Sequence, residues 1–305
     1  MIEENLNSRG KMKRMIDTGQ AKEILRGELI IEDKVIQMAL DCEHVGFEEK
    51  KHFVDTLGID VVTVAPYGVI EDKGNVDFDA SHYLFPDLRK WATQTGRYTF
   101  AILDGAFERG IYAQGIGTFF SMLGTSPVVL QEWIQAVEKL NLDLVQRLTV
   151  EGVDGIILAD DVAYAGGLMV NPKSLRDYFI PSLARQVEKI KYYGLPVFYH
   201  SDGNYQTVLG DILQAGFDGL HCIDRNSGMD ISKLQQEVGE RICLWGHLDV
   251  HDFEEVVQDC EVLEKKAQSI KELALGHRFL LGTSSGLFEG VNIKGLKALY
   301  QRVNC

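Results

Sequence analysis

No cysteines in this sequence have the close spacing of a disulfide framework or of a zinc finger. The five cysteines are far apart and none forms a CxxC pair. An odd number of widely spaced cysteines excludes a zinc site built from one local motif, and it indicates that most of the thiols are reduced and buried. They are Cys42, Cys222, Cys243, Cys260 and Cys305.

The sequence also lacks a long apolar run and an excess of positive charge. No segment approaches the roughly 20 apolar residues that a membrane span needs, and residues 1–19 lack the apolar core of a signal peptide. We therefore expect a cytoplasmic protein with no membrane partner. The net charge of -14 argues against nucleic acid or an anionic membrane as a partner, because either would need a basic surface. A neutral or cationic ligand is favoured.

Eight short β-rich runs, each followed by polar residues or glycine and then by a helical pattern, predict the fold. Eight is the strand number of a TIM-type barrel, and no linker divides the chain. We predict a single α/β domain, with an N-terminal helical extension over residues 1–33 and a (β/α)8 barrel over residues 34–305. A doubly wound sheet would need a Gly-rich phosphate-binding fingerprint, which is missing. The predicted strands are 35–40, 61–65, 98–103, 155–159, 196–200, 219–223, 242–246 and 278–282.

Local signals mark the ends of several predicted helices. Pro127 and Pro172 each follow a cap residue and are expected at the first position of a helix. In a recurring Gly-x-Asp triplet, the glycine is predicted to end a helix and the aspartate to open the turn into the next strand, opposite the site. The triplets occupy residues 58–60, 152–154 and 216–218.

Residues 194–204, GLPVFYHSDGN, concentrate groups that can bind metal and transfer protons. An apolar run ends in His200, Ser201 and Asp202, as expected where a parallel strand reaches the catalytic face of a barrel. His200 and Asp202 are two residues apart, so both side chains can lean into one cavity, and we predict them as metal ligands. The alternative for His200 is a strand cap that bonds a neighbouring carbonyl group.

Acidic residues and histidines at the ends of other strands would share the same cup. One of the adjacent Asp160 and Asp161 is predicted to act as a catalytic acid or as a ligand, and the other to anchor the loop. His247 is a further catalytic candidate. One of His221 and Cys222 must face the helices; we predict that His221 packs in the core, while Cys222 is an alternative thiolate ligand.

Four longer segments resemble successive blocks of the uroporphyrinogen decarboxylase superfamily, in the same order and spacing. They are ILADDVAYAGGLMVNPKSLRDYFIPSL, VFYHSDGNYQTVLGDILQAGFDGLHCID, GMDISKLQQEVGERICLWGHLDV and FLLGTSSGLFEGVNIKGLKAL. The similarity runs from about Asp104 to the C-terminus and is faint upstream. This resemblance implies a single α/β barrel, but it does not choose between the porphyrinogen decarboxylases and the corrinoid-dependent methyltransferases of the superfamily.

Departures from the family pattern favour the methyltransferase branch. Porphyrinogen decarboxylases carry an arginine-rich segment like MRQAGR, which is absent here, and an acidic mouth would repel a polycarboxylate substrate. In the thiol-methylating branch, zinc is held by a His-x-Cys after strand five and a Cys after strand eight. The corresponding positions here are His200, Asp202 and about Ser285. A ligand set with oxygen in place of sulfur resembles that of the demethylating members of the superfamily, in which a harder metal site polarises the oxygen of the substrate.

The resemblance therefore implies a zinc-assisted methyltransferase that moves a methyl group from an O-methyl, or less readily an N-methyl, small molecule to the cobalt of a corrinoid. The chain has no cobalamin-binding DxHxxG motif, so a separate partner protein must carry the corrinoid. Tyr67, Tyr164, Trp245 and Ser285 are the predicted substrate contacts. A tetrapyrrole lyase and a non-catalytic barrel subunit remain as alternatives, and a homo-oligomer is left open.

Overall fold

The computed structural model describes residues 6–19, 21–67, 76–238, 240–254 and 259–305. Its strands are β1 (Leu25–Arg26), β2 (Val61–Val64), β3 (Tyr98–Asp104), β4 (Gly155–Ala159), β5 (Ala163–Tyr164), β6 (Gly167–Leu168), β7 (Val197–His200), β8 (Gly219–His221), β9 (Cys243–Leu248) and β10 (Phe279–Thr283). Eight of them pair in parallel in the order β1-β10-β9-β8-β7-β4-β3-β2, and a bridge from Gly27 to Val61 links the two edges. The predicted TIM-type barrel is confirmed, with β5 and β6 as a separate antiparallel hairpin.

Helices connect the barrel strands. They are α1 (Ser8–Thr18), α2 (Asp33–Leu40), α3 (Phe47–Leu57), α4 (Leu88–Gln94), α5 (Ala106–Gln114), α6 (Ile116–Thr125), α7 (Pro127–Glu151), α8 (Pro172–Ser174), α9 (Ile180–Tyr192), α10 (Leu209–Gln214), α11 (Ile231–Val238), α12 (Cys260–Ala274) and α13 (Ile293–Arg302). A π-helical turn, Leu175–Phe179, joins α8 to α9. Pro127 and Pro172 open α7 and α8 as predicted.

The period-2 alternation of the strands separates two buried apolar layers. Ile156 and Leu158 of β4 belong to the layer between the sheet and the helices. Ile157 and Ala159 belong to the barrel interior, together with Met12 of α1. Helix α1 contacts β1, β2 and β3, and its buried methionine side chains extend the interior layer. This alternation decides which side chains at the ends of the strands enter the cup.

The first predicted strand is wrong. Residues 35–40 form helix α2, in which Val35 and Ile36 are buried, whereas Met38 is 62% exposed. A strand would bury alternate residues, so the apolar run was too short to separate the two periods. The first barrel strand is instead β1, only two residues long, and it lies inside the range that was predicted as the extension. The other seven strands were placed correctly to within about two residues.

The three Gly-x-Asp triplets have the predicted structural role. Each glycine follows a helix and has a positive φ angle, between 65° and 90°. Each aspartate accepts the backbone N–H of a neighbouring strand: Asp60 from Arg26 at 3.1 Å, Asp154 from Thr99 at 3.1 Å and Asp218 from Val197 at 2.9 Å. These carboxylates hold strands together at the face opposite the predicted site.

Closure of the barrel next to β1 depends on a glycine in β10. A Cβ atom at Gly282 would lie 2.1 Å from the Gly27 carbonyl oxygen and 2.8 Å from Trp245 Nε1.

We expect Gly282→Ala to lower the free energy of unfolding by about 1–3 kcal/mol, because the neighbouring backbone must move. The control is Gly210→Ala in α10, where a Cβ would meet nothing within 4 Å. This substitution should raise the free energy of unfolding by about 0.5–1 kcal/mol. Urea unfolding measures both, and equal stabilities would contradict this account of closure.

Candidate active site

Three potential metal ligands meet at the C-terminal ends of β4 and β7. One donor atom each of Asp161, His200 and Asp202 lies within 4.8 Å of the other two. His200 Nε2 is 3.8 Å from Asp161 Oδ1 and 3.9 Å from Asp202 Oδ1. The backbone N–H of Asp202 donates to Asp161 Oδ1 at 2.8 Å, which fixes the two loops to each other. The structure therefore brings the two predicted ligands together with Asp161.

The donor set suits zinc. Catalytic zinc sites combine three nitrogen or oxygen ligands with one open position, at metal–ligand distances of about 2.0–2.2 Å. Small side-chain rotations would let the three donor atoms reach one zinc ion at these distances. The Asp202 side chain is 54% exposed, so the open position can be approached from solvent. Burial raises the pKa of Asp161, whereas the nearby His200 lowers it. Cys222 does not belong to this group, and burial and then Asp202 raise the pKa of its thiol.

Asp160 has an anchoring role. It is fully buried, and its Oδ1 accepts the N–H groups of Phe107 and Glu108, at 2.9 and 2.8 Å, in the first turn of α5. A Cβ on Gly105 would lie 2.1 Å from Asp160 Cγ. Asp160 lies two residues after the outward-facing Leu158, and Asp161 lies two residues after the inward-facing Ala159, so alternation sends the two carboxylates in opposite directions. Asp160 therefore anchors the loop, and the prediction of a catalytic acid or a ligand applies to Asp161.

Two more acidic residues, Asp104 and Glu108, lie near the three potential ligands. Burial raises the pKa of Asp104 at the end of β3, and Arg109 opposes this effect. Burial, and then the charges of Asp161, Asp104 and Asp160, raise the pKa of Glu108 to about 9. Glu108 was not predicted, since a glutamate in the first turn of a helix normally faces solvent at the positive end of the helix dipole. Helix α5 begins two residues after β3, and this short connection is the signal that could have indicated it.

His221 is fully buried, as predicted for a core residue, and it also contacts the predicted ligand His200. The Nδ1 atoms of His200 and His221 are 2.8 Å apart, and the two rings lie side by side on adjacent strands. Burial, followed by the neighbouring His200, lowers the pKa of His221 well below its ordinary value, while the nearby backbone of Thr283 opposes this shift. His221 is therefore a neutral partner of the predicted ligand.

The remaining predicted site residues are dispersed. His247 lies near the end of β9 with a strained φ of 96°, and burial lowers its pKa. Tyr67, Tyr164 and Ser285 are exposed in the segments that follow β2, β4 and β10, so their predicted roles stay predictions. Trp245 is fully buried in the barrel interior, and its N–H donates to the Gly27 carbonyl at 3.1 Å. It is a core residue and not the substrate contact that the sequence predicted.

Arg109 lies beside these acidic residues, and its guanidinium is already paired with Asp104. Its Nη2 donates to Asp104 Oδ2 at 3.2 Å and its Nη1 to the Tyr83 hydroxyl at 2.8 Å. The side chain is buried, and its guanidinium lies 5.5 Å from the centroid of the Tyr83 ring. An arginine held in this way neutralises Asp104 and is not available to grip the carboxylates of a substrate.

Comparison with known proteins finds a family model and relatives that match this chain. The family model "Uroporphyrinogen decarboxylase (URO-D)" matches residues 107–304. The uroporphyrinogen decarboxylase of Chlorobium phaeovibrioides is 25% identical over 154 residues, which are 50% of this chain and 40% of that protein. For that of Chlorobium limicola the identity is 29% over 159 residues, 50% of this chain and 42% of that protein. The chain thus spans less than half of the length of these two relatives.

A solved structure has the same fold over nearly the whole chain. A methyltransferase from Methanosarcina mazei superposes with a TM-score of 0.76 at 13% sequence identity, covering 98% of each chain. At this identity the likeness concerns the fold. None of the helices in the described ranges is both long and apolar enough to cross a membrane.

The buried Asp160 should make stability depend on pH. Burial raises its folded-state pKa from 3.8 to about 7, so the group stabilises the fold in its protonated form. This contribution is complete below about pH 3.8 and is lost as the pH rises through about 7. Asp160→Asn keeps the Oδ1 acceptor without the charge, so its free energy of unfolding should fall less between pH 5 and pH 8 than that of the wild type, by on the order of 2 kcal/mol.

Denaturant unfolding at the two pH values measures this difference. The Glu28 carboxyl, whose pKa burial also raises to about 7, contributes equally to the wild type and to the variant and cancels in the comparison. The same loss of stability in both proteins would show that Asp160 is ionised at little cost.

Proposed function

Because the chain belongs to the uroporphyrinogen decarboxylase family and carries an oxygen-rich ligand group in its barrel mouth, we propose that it is a methyltransferase. It would move a methyl group from an O-methyl, or less readily an N-methyl, small molecule to the cobalt of a separate corrinoid protein. The observation that carries this proposal is the convergence of Asp161, His200 and Asp202 at the catalytic face of the barrel. The fold shared with the Methanosarcina mazei methyltransferase is consistent with it.

The charges around the site argue against decarboxylation of a tetrapyrrole. Asp104, Asp161 and Asp202 lie close together, because the charges of Asp202 and Asp104 both act on the pKa of Asp161. A substrate with several carboxylates would be repelled by this group, and Arg109 is engaged with Asp104 and Tyr83. A neutral ether or a cationic methylamine meets no such repulsion.

Each side chain has a definable task in the proposed reaction. Asp161, His200 and Asp202 would hold zinc, which when bound would polarise the oxygen that loses its methyl group. The Asp202 backbone N–H keeps Asp161 turned toward His200. Asp160 holds the first turn of α5, and thereby Glu108, against the site. The exposed Tyr67, Tyr164 and Ser285 would contact the substrate, and the partner protein would cover the open face of the barrel.

The proposed reaction can be tested with free reduced cobalamin in place of the partner protein. The purified protein, loaded with zinc, is mixed with cob(I)alamin and a panel of O-methyl and N-methyl compounds. We expect loss of cob(I)alamin absorbance with at least one methoxylated compound, and no demethylation when cobalamin is omitted. Demethylation without a corrinoid, or release of CO2 from uroporphyrinogen or coproporphyrinogen, would reject the proposal in favour of the lyase.

Removal of the central ligand should abolish both zinc binding and transfer. We expect His200→Ala to lose most of its zinc and to transfer methyl groups at least about 100-fold more slowly, because the imidazole is one of the three donors that converge there. The fold should persist, since residues at the mouth of a barrel contribute little to its core. His251→Ala is the matched control, because His251 is exposed and pairs with Glu254. Elemental analysis and the cobalamin assay decide, and unchanged zinc content in His200→Ala would reject the ligand assignment.

A further inference from the structure

The side of His200 that faces away from the carboxylates is held by a second imidazole. His200 Nε2 faces Asp161 and Asp202, while its Nδ1 lies 2.8 Å from Nδ1 of His221. His221 is fully buried, and its ring packs edge-on against Trp245 at a centroid distance of 4.8 Å. The two histidines are paired in register across β7 and β8. The position of His221 is therefore set by the barrel core.

A hydrogen bond between two Nδ1 atoms needs one proton, and its position decides what His200 can bind. If His221 donates this proton, a neutral His200 carries its own proton on Nε2, which then has no lone pair for a metal. If His200 donates, its Nε2 keeps the lone pair and faces the two carboxylates. Only the second arrangement is compatible with a metal ion held by His200.

We propose that His221 is a positioning residue, which accepts the Nδ1 proton of His200 and so keeps His200 Nε2 unprotonated and directed at Asp161 and Asp202. This inference rests on the metal-assisted part of the proposed function. Metal-binding histidines usually donate their second N–H to a carboxylate, a backbone carbonyl or water. Here the acceptor is a buried imidazole, which adds no negative charge to a site that already contains several carboxylates.

Three substitutions separate this role from simple packing. In His221→Asn the amide oxygen can occupy the position of Nδ1 and accept the same proton. In His221→Gln the amide extends to the position of Nε2, and in His221→Leu no acceptor is present. We expect the dissociation constant for Zn²⁺ to stay within about 3-fold of the wild type in the asparagine variant, and to rise about 10- to 100-fold in the other two. A competing chelator indicator measures it on protein that has been freed of metal.

Circular dichroism and thermal unfolding establish that each variant is folded. Long-range ¹H–¹⁵N spectra of the zinc-loaded wild type provide a measurement that needs no variant: we expect a proton on His200 Nδ1, none on His200 Nε2, and an unprotonated Nδ1 on His221. Equal zinc affinity in all folded variants, an equal loss in all of them, a proton on His221 Nδ1, or no zinc binding by the wild type would each overturn the inference.

The test also distinguishes this inference from the proposed reaction. Failure of methyl transfer to cob(I)alamin, together with the expected zinc affinities and tautomers, would reject the reaction and leave the role of His221 intact. Methyl transfer that is unchanged in His221→Leu, with unchanged zinc affinity, would reject the role of His221 and leave the reaction intact.

Discussion

The arrangement of the catalytic face depends on the hydrogen bonds that the side chain and the backbone of Asp160 make. Its Oδ1 binds the first turn of α5, its backbone N–H donates to the His200 carbonyl, and its own carbonyl accepts the Tyr199 hydroxyl. One buried residue thereby joins β4, β7 and the helix after β3. Because Asp161 and His200 are direct neighbours of these bonds, their separation is set by the anchor and not by the loops alone.

The same anchor explains why the site is so acidic. Fixing α5 by its N-terminus brings Glu108 next to Asp104 and Asp161, where burial raises the pKa values of these groups. A single arginine, Arg109, is bound to Asp104. Crowded carboxylates of this kind are costly without a counterion, and a dication would relieve the repulsion. The electrostatic strain of the cluster and its donor geometry therefore point to the same class of ligand.

The family relationship and the site carry different information. The match over residues 107–304 and the fold shared with a methyltransferase concern the barrel, which supports many reactions. Chemistry is decided by a few side chains at the strand ends. In this chain those side chains are a histidine pair and several carboxylates, a combination that suits a cation such as zinc better than a polyanionic substrate. The proposed methyl transfer is drawn from these residues.

The sequence by itself determined the barrel, the helix ends at Pro127 and Pro172, the three structural Gly-x-Asp triplets and the convergence of His200 with an aspartate two residues on. These follow from short-range patterns, in which apolar periodicity and cap residues act over a few positions. It failed for β1, whose two residues have no period to detect and whose place in the sheet is fixed by pairing with β10, far along the chain.

Only the tertiary structure decided which of two adjacent residues enters the cup. Alternation along β4 and β8 requires that neighbours face opposite sides, but the sequence does not show which side is the interior. The packing of Ile157 and Ala159 against the interior turned Asp161 into the cup and Asp160 out to α5. The pairing of β8 with β7 placed His221 beside His200, and the short connection after β3 brought Glu108 to the site. The contact between His221 and His200 joins residues on two different strands that are distant in sequence, so no local pattern could contain it.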